Sequence, residues 1–395
     1  MSLEDNWDDA ALGGTGGGEE HSWRADWSGD EGTITTGALP DEFDPHNFDE
    51  VLERLGYAPG EIRMELVSAS RWEQRTALRD EDGRKTGEMS SAYLNAYKYK
   101  AVRNALCVNL PALYAQVKAS TPRKKEIVPT GRTAVVCWAD IQTGKQDHLG
   151  GVTELLERLE EKRVALKGWL KSGKFDHVVV CDVGDIVEGF DNVLSQTRTN
   201  GLSLMAQVDL AASEFWQTIK LCEKFGHTDV LSIPSNHCQW RKGKSLIGRP
   251  NDDWGLHINQ QLERLNEEAG LDVDFHRPED DHTEMMTFKI RNTALGLAHG
   301  HQAKTPAGII PWWKNQKHEG RLICEVLLTG HFHYPSFRAS GRDPVTGKSG
   351  YHIQASTLDN GSAWVRNTMG EDGDPALTVF AFDDDGFDLT SIALL

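Results

Sequence analysis

The stretch His177–Glu188, HVVVCDVGDIVE, decides the architecture. Three valines and a cysteine make an apolar, β-branched run that suits a strand buried on both faces. The run stops at Gly184, and Asp185 follows at once. A carboxylate at the carboxyl end of a buried strand sits on the rim where open α/β sheets gather their ligands.

Working outward, strand and helix patterns alternate from Arg132 onward. Thr133 to Trp138 reads as a strand running up to Asp140. Val152 to Leu170 reads as a helix with its charges outside, and Leu202 to Phe225 as a second amphipathic helix. Val230 to Ile233 is a strand leading into Ser235, Asn236 and His237. Leu256 to Ala269 is helical. Met285 to Arg291 and Ala294 to Ala298 pair through a tight turn, the second strand ending at His299. Cys324 to Thr329 runs up to Gly330 and His331, and Ala376 to Phe382 is one of several short strands in the last part.

The chain has 395 residues and a formal net charge of -18. That charge is uneven. Met1 to Pro45 hold 12 acidic residues and one basic, leaving 48 acidic and 41 basic for the rest. Such a balance argues against a protein that coats nucleic acid by charge alone. The Gly- and Asp-rich start, with GGTGGGEE at its centre, predicts a disordered tail over residues 1–45. Its tryptophans, Trp7, Trp23 and Trp27, are either sticky positions of a solvated tail or a docking segment for a protein partner. Residues 46–118 read as a small α+β module. There Tyr93, Asn95, Tyr97 and Tyr99 alternate with Leu94, Ala96, Lys98 and Lys100, either as a stacking platform or as a sheet edge blunted by lysines. Residues 119–130, with PRKK and two prolines, read as a linker, and residues 131–395 as the main domain. The six cysteines show no metal-binding or CxxC spacing and fit a reducing compartment, so a cytoplasmic protein is expected, in a host cytoplasm if viral. No run approaches a membrane span, so no membrane partner is expected.

Five strand ends carry donors: Asp140 with Gln142, Asp185, Asn236 with His237, His299 with His301, and His331 with His333. In a parallel-type pattern they would converge on one rim. Asp185 then reads as the bridge of a two-metal site. Oxygen donors mixed with imidazoles suit Mn²⁺, Fe²⁺ or Zn²⁺ better than Ca²⁺. For His331 and His333, alternate positions after an apolar strand point the same way.

At these residues the chain resembles the calcineurin-like metallophosphoesterase superfamily. That family runs D-x-H, G-D-x-x-D/E, G-N-H-D/E, a lone H, then G-H-x-H. Here the blocks are ADIQ (Ala139–Gln142), GDIVE (Gly184–Glu188), SNHCQ (Ser235–Gln239), AHGH (Ala298–His301) and GHFH (Gly330–His333). The match covers about residues 132–382, and within the superfamily the layout is most similar to SbcD-type nucleases and phosphoesterases of bacteriophages. The resemblance implies an α/β sandwich of two mixed β-sheets packed face to face and flanked by helices. It implies two divalent cations, Mn²⁺ first. Asp140 and His333 would hold one, Asp185 would bridge, and Asn236, His299 and His331 would hold the other. His237 would be the general acid, with Asn236 steadying a phosphoryl oxygen against in-line attack by a hydroxide shared between the cations. Glu188, His301 and Asp182 would support these ligands.

Two blocks depart from the family at three positions. Gln142 stands where it has histidine, a weaker neutral ligand at best, with Asp147 or His148 as substitutes. Ser235 and Cys238 replace a glycine and an acid, and Cys238 is expected as a packed or partly exposed thiol. Trp312 and Trp313 beside Lys314 and Lys317, together with Arg241, tilt the reading towards a DNA strand as substrate. The tryptophans could equally be core residues. Three functions stay open: a DNA exo- or endonuclease, a phosphomonoesterase or small phosphodiesterase acting on nucleotides or phosphoproteins, and an inactive binding protein that keeps the fold. A homodimer is also open.

Overall fold

The computed structural model describes residues 23–28, 31–55, 62–79, 85–103, 110–122, 126–190, 192, 196–342, 347–368, 370 and 373–395. The chain divides into two compact units, Met1–Cys107 and Val108–Leu395.

In the first unit, β1 (Arg24–Ser28), β2 (Glu31–Thr35), β3 (Leu39–Pro40), β4 (Ile62–Arg79) and β5 (Lys85–Arg103) form one antiparallel sheet around the long β4–β5 hairpin. The expected disordered tail is corrected for its second half. Ile34 and Leu39 are buried beside Tyr97 and Tyr99, and Thr36 donates its amide to the Tyr97 carbonyl. The Gly-rich composition of the tail hid two short apolar segments that need only the edge of β5 to pair. Trp23 packs partly buried on the same cluster, while Trp7 and the GGTGGGEE run lie outside the described residues. Tyr97 and Tyr99 are core residues, and the Tyr99 hydroxyl donates to the Pro45 carbonyl at 3.0 Å. Of the tyrosines on that face only Tyr93 is exposed, with Arg71 lying over its ring.

The second unit is an α/β sandwich. Its first sheet has the order β11-β8-β7-β6-β17-β18: β6 (Thr133–Trp138), β7 (His177–Asp182), β8 (His227–Ser232) and β11 (Val273–His276) are parallel, while β17 (Thr378–Asp383) runs antiparallel beside β6 and β18 (Gly386–Leu394) antiparallel beside β17. Between β8 and β11 a two-residue-per-strand ribbon, β9 (Arg241–Lys242) and β10 (Ser245–Leu246), projects on its own. The second sheet runs β12-β13-β14-β16-β15, from β12 (Met285–Ile290), β13 (Thr293–Ala298), β14 (Val326–Thr329), β15 (Ser336–Arg342) and β16 (Ser349–Gln354).

Period-two alternation divides the strands between two cores. Val135, Cys137, Val179 and Cys181 point between the sheets, where they meet Leu295, Leu297, Val326 and Leu328. Val136, Trp138, Val178 and Val180 point the other way. There they meet the helices Val152–Gly173, Leu204–Glu223 and Trp254–Ala269. The helix Ile309–His318 covers the outer face of the second sheet. Trp313 is buried there and Trp312 packs half-buried beside it. Buried Trp313 is not free to stack on a base, which corrects its expected substrate role, while Trp312 keeps part of its ring at the surface.

The boundary between units also moves. The helix Leu110–Lys118, assigned to the N-terminal module by sequence, belongs to the second unit, and Leu113 and Val117 are buried in its helix-side core. Leu113→Ala should therefore lower the stability of the second unit by about 2–5 kcal/mol. The readout is the urea transition followed by the buried Trp138 and Trp216; an unchanged midpoint would return the helix to the first unit.

Candidate metal centre

The strand ends of both sheets deliver their donors to one place. Asp140 follows β6, Asp185 follows β7, Asn236 and His237 follow β8, His299 follows β13, and His331 and His333 follow β14. The backbone turns sharply after β6, β7 and β14. Asp140, Gln142, Asp185, His331 and His333 all have positive φ, between 44° and 73°. Such angles are costly for residues with a Cβ and persist only when surrounding bonds fix them. The bonds are present. Asp140 N–H donates to the Gly184 carbonyl at 3.1 Å, Gln142 N–H to the Asp185 carbonyl at 2.8 Å, and Asp185 N–H to Ser235 Oγ at 2.7 Å. Ser235 thus has a structural reason to replace the family's glycine: its hydroxyl holds the aspartate's amide.

The carboxylates and imidazoles interlock. Asp140 accepts the His331 N–H at 3.0 Å, and Asp185 Oδ1 accepts the His237 N–H at 2.9 Å. One donor atom each from Asp185, His299 and His331 lies within 4.8 Å of the others. His299 Nδ1 bonds the Val183 carbonyl at 2.8 Å, which turns Nε2 towards Asp185 Oδ2, 3.0 Å away. Burial pulls the His299 imidazolium down, but Asp185 and Asp140 outweigh it and raise the group to about 9. Burial likewise pushes Asp185 up, while His299 and His237 hold it well below the usual carboxylate range. Burial raises Asp140, with Asp185 adding to it, and burial together with His299, His301 and His333 sends His331 well below an ordinary imidazole.

Do these residues fit a divalent cation? At one position they do. His299 Nε2 and Asn236 Oδ1 are buried without an aligned hydrogen bond to any described residue, and both belong to the set Asp185, Asn236, His299, His331. Buried unpaired acceptors beside an ionised carboxylate are the donors such a cation takes. The other position is poorer. Asp140 and His333 are there, with His333 Nε2 3.6 Å from Asp140 Oδ1. Gln142, however, does not offer its oxygen. Lys145 Nζ donates to Gln142 Oε1 at 2.6 Å, and because an ammonium only donates, the amide nitrogen is left facing the His237 ring at 3.5 Å. The expected ligand role of Gln142 is corrected by this hydrogen bond. Asp147 and His148 bond each other instead, and Asp147 Oδ2 also accepts the Ala363 N–H.

His237 has its Nδ1 on the Glu188 carbonyl at 2.8 Å, with Glu188 Oε2 at 3.3 Å. Burial lowers its pKa, and Asp185 and Glu188 more than reverse that, to about 9. Glu188 itself is steadied by Thr199 Oγ1. Asp182 accepts the Gly184 N–H and is raised to about 7 by burial. His301 pairs with Glu284 at 3.3 Å and has Arg241 Nη2 at 3.4 Å, so Arg241 stands at the rim. Lys314 is exposed and Lys317 half-buried on the outer helix. Cys238 is fully buried in the helix-side core.

Three groups escaped the sequence reading. Asn192 donates through one amide nitrogen to the carbonyls of Asn236, His237 and Gln239, clamping that loop. Asp359 sits buried between Lys145 Nζ at 2.6 Å and His333 Nδ1 at 3.3 Å. Trp240 and Phe190 are exposed aromatics on the loops that carry His237 and Glu188. Only the exposed aromatics could have been suspected from sequence, by adjacency to the motifs.

No family model matches this chain, and no curated protein matches it. Solved structures do. Vacuolar protein sorting 29 from Cryptosporidium parvum is 15% identical, with 67% of this chain and 95% of that one covered and a TM-score of 0.29. A zinc-complexed Vps29 from Entamoeba histolytica is 12% identical over 66% and 97%, with a TM-score of 0.27. A metallophosphoesterase from Sphaerobacter thermophilus is 14% identical over 65% and 85%, also with a TM-score of 0.27. Likeness at this level fixes neither activity nor partner. Among the described residues no helix is long and apolar enough to cross a membrane.

Lys145→Met should strand the buried Asp359 carboxylate and cost about 3–5 kcal/mol. Adding Asp359→Leu should recover most of that in urea unfolding. A double variant no more stable than the single one would mean the pair does not work as argued.

Proposed function

We propose that the second unit is a metal-dependent phosphoesterase of the calcineurin-like type, acting on phosphodiester bonds of DNA. The observation that carries the reading is the gathering of Asp140, Asp185, Asn236, His299, His331 and His333 from five strand ends around two carboxylates. Asp185, Asn236, His299 and His331 would hold a divalent cation, with Mn²⁺, Fe²⁺ or Zn²⁺ suited to the donor set, and Asp140 and His333 would hold a second, weaker one. Such cations supply Lewis-acid polarisation of a phosphoryl oxygen and make water acidic enough to serve as nucleophile at neutral pH.

The chain's own groups do the rest. Asp185 is kept ionised by its imidazole neighbours. His237 is oriented by the Glu188 carbonyl on Nδ1, which leaves Nε2 to give its proton to the departing oxygen. Glu188 and Asp185 favour the protonated ring that this step requires. Asn192 holds the loop that sets the ring's position.

Support for DNA comes from the rim. Arg241, Lys242 and Lys244 sit on the β9–β10 ribbon, with exposed Trp240 at its foot and exposed Phe190 on the neighbouring loop. Cations for phosphates and open π-faces for bases are what an unpaired strand needs. The narrower likeness to SbcD-type and bacteriophage enzymes rests on general layout, and the order of the five blocks supports the superfamily alone. One observation favours the inactive binding protein instead: the Gln142 oxygen is taken by Lys145.

The deciding assay offers Mn²⁺ with single-stranded DNA, double-stranded DNA and bis-p-nitrophenyl phosphate. DNA should be cut, and chelation should stop it. His237→Ala should lower kcat on DNA by about 10²–10⁴. It should cost much less on the nitrophenyl ester, whose leaving group departs without a proton. Turnover of small esters alone would move the substrate to nucleotides or phosphoproteins, and no turnover with any divalent cation would favour the binding protein. Trp240→Ala with Arg241→Ala should raise KM for DNA and leave the ester's KM unchanged; equal effects on both would remove the rim from substrate binding.

A further inference from the structure

The opposite end of the sandwich carries a second convergence of imidazoles. His177 and His227 are the first residues of the adjacent parallel strands β7 and β8, paired in register. Asp229 lies two residues along β8 and so faces the same side as His227. Val179 in β7 and Leu231 in β8 continue that side into the core between the sheets, so the cluster sits on the inner face of the first sheet. His276 closes it from β11, its ring 4.9 Å from Phe288 of the second sheet.

The nitrogens meet at one carboxylate. His177 Nε2 is 2.6 Å from Asp229 Oδ2, His276 Nε2 is 2.6 Å from Oδ1, and His227 Nε2 is 3.8 Å from Oδ1. Donor atoms of His177, His227 and Asp229 all lie within 4.8 Å of one another. Asp229 is 6% exposed. The far ring nitrogens are also fixed. His227 Nδ1 is 2.9 Å from Asp272 Oδ1, and His177 Nδ1 is 3.2 Å from Thr133 Oγ1, which in turn accepts from Arg291 Nε at 3.0 Å. With Nδ1 held by a carboxylate or hydroxyl, Nε2 of His177 and His227 is aimed at Asp229, and an ion bound there would displace the proton each ring now directs at that carboxylate. A cavity of about 520 Å³ opens onto His177, His227 and Asp229, giving an ion a way in.

We propose that His177, His227 and Asp229 form a zinc-class metal site, separate from the strand-end centre, that ties β7 to β8, with His276 of β11 held on the same carboxylate. Two imidazoles and one carboxylate supply three of the four ligands zinc takes, with Zn–N about 2.0–2.1 Å. Edge strand β11 is otherwise held to the sheet by four residues of parallel pairing with β8, so His276 on Asp229 helps secure the edge.

The test counts zinc bound per full-length chain after gel filtration, with the fold checked by circular dichroism. The Asp185→Asn chain should retain one zinc, and His227→Gln added to it should remove that zinc. In the wild-type background His227→Gln should lose one equivalent and leave ester hydrolysis unchanged. Asp272→Asn should weaken the retained zinc about 10–100-fold. Zinc should raise the melting temperature of Asp185→Asn but not that of Asp185→Asn with His227→Gln. Equal zinc content in wild type and His227→Gln overturns the site, as does an Asp185→Asn chain that binds none. Should Asp185→Asn fail to fold, the wild-type comparison alone decides.

Discussion

The strand-end centre depends on backbone held in the left-handed region. Asp140, Asp185, His331 and His333 would each relax towards ordinary extended or helical angles in an isolated peptide, at a gain of order 1–3 kcal/mol apiece. They stay because each loop is bonded to the next: Asp140 to Gly184 and His331, Asp185 to Ser235 and His237. Close approach adds to this. A side chain on Gly330 would strike the Asp140 carboxylate, and one on Gly184 would strike Ser235 and His299. The loops are therefore mutually dependent, and the donors are placed before any ligand arrives.

Charge follows from that packing. Four carboxylates, Asp140, Asp182, Asp185 and Glu188, are buried within a few residues of the centre, and only some are compensated. Asp185 has imidazoles on several sides and stays ionised, whereas Asp182 has only hydrogen bonds and rises to about 7. Lys145 and Asp359 form a separate buried pair that supports His333 on one side and Gln142 on the other. On the function proposed above, this pair ranks the two candidate cation positions. The ammonium holds the Gln142 oxygen, so the position next to Asp140 has one donor fewer than the position next to His299.

The sandwich also explains why chemistry can sit at both of its ends. Inner faces are apolar through the middle, where Val135, Val179 and Leu297 meet, and polar groups appear only where the strands begin and stop. At the carboxyl ends loops from both sheets converge. At the amino ends the parallel register alone brings His177, His227 and Asp229 side by side.

The sequence by itself determined the strands that carry the donors. Valine-rich runs that end in Gly184–Asp185 or Gly330–His331 could be read without a structure, because burial on both faces demands continuous apolar residues and the donors follow directly. It also pointed to the strand-end donors from which the metal centre is proposed, since each belongs to a local motif. Tertiary structure decided everything that rests on partners distant in sequence. Lys145 meets Asp359 across 214 positions and takes the Gln142 oxygen. Trp313 turns into the core because its helix lies on a sheet, and Ile34 and Leu39 become strand residues because β5 offers an edge. His177, His227 and His276 carry no motif at all. Local spacing records which way a side chain points from its own strand, whereas strand register and loop closure, set by the packing of the whole domain, record what it meets there.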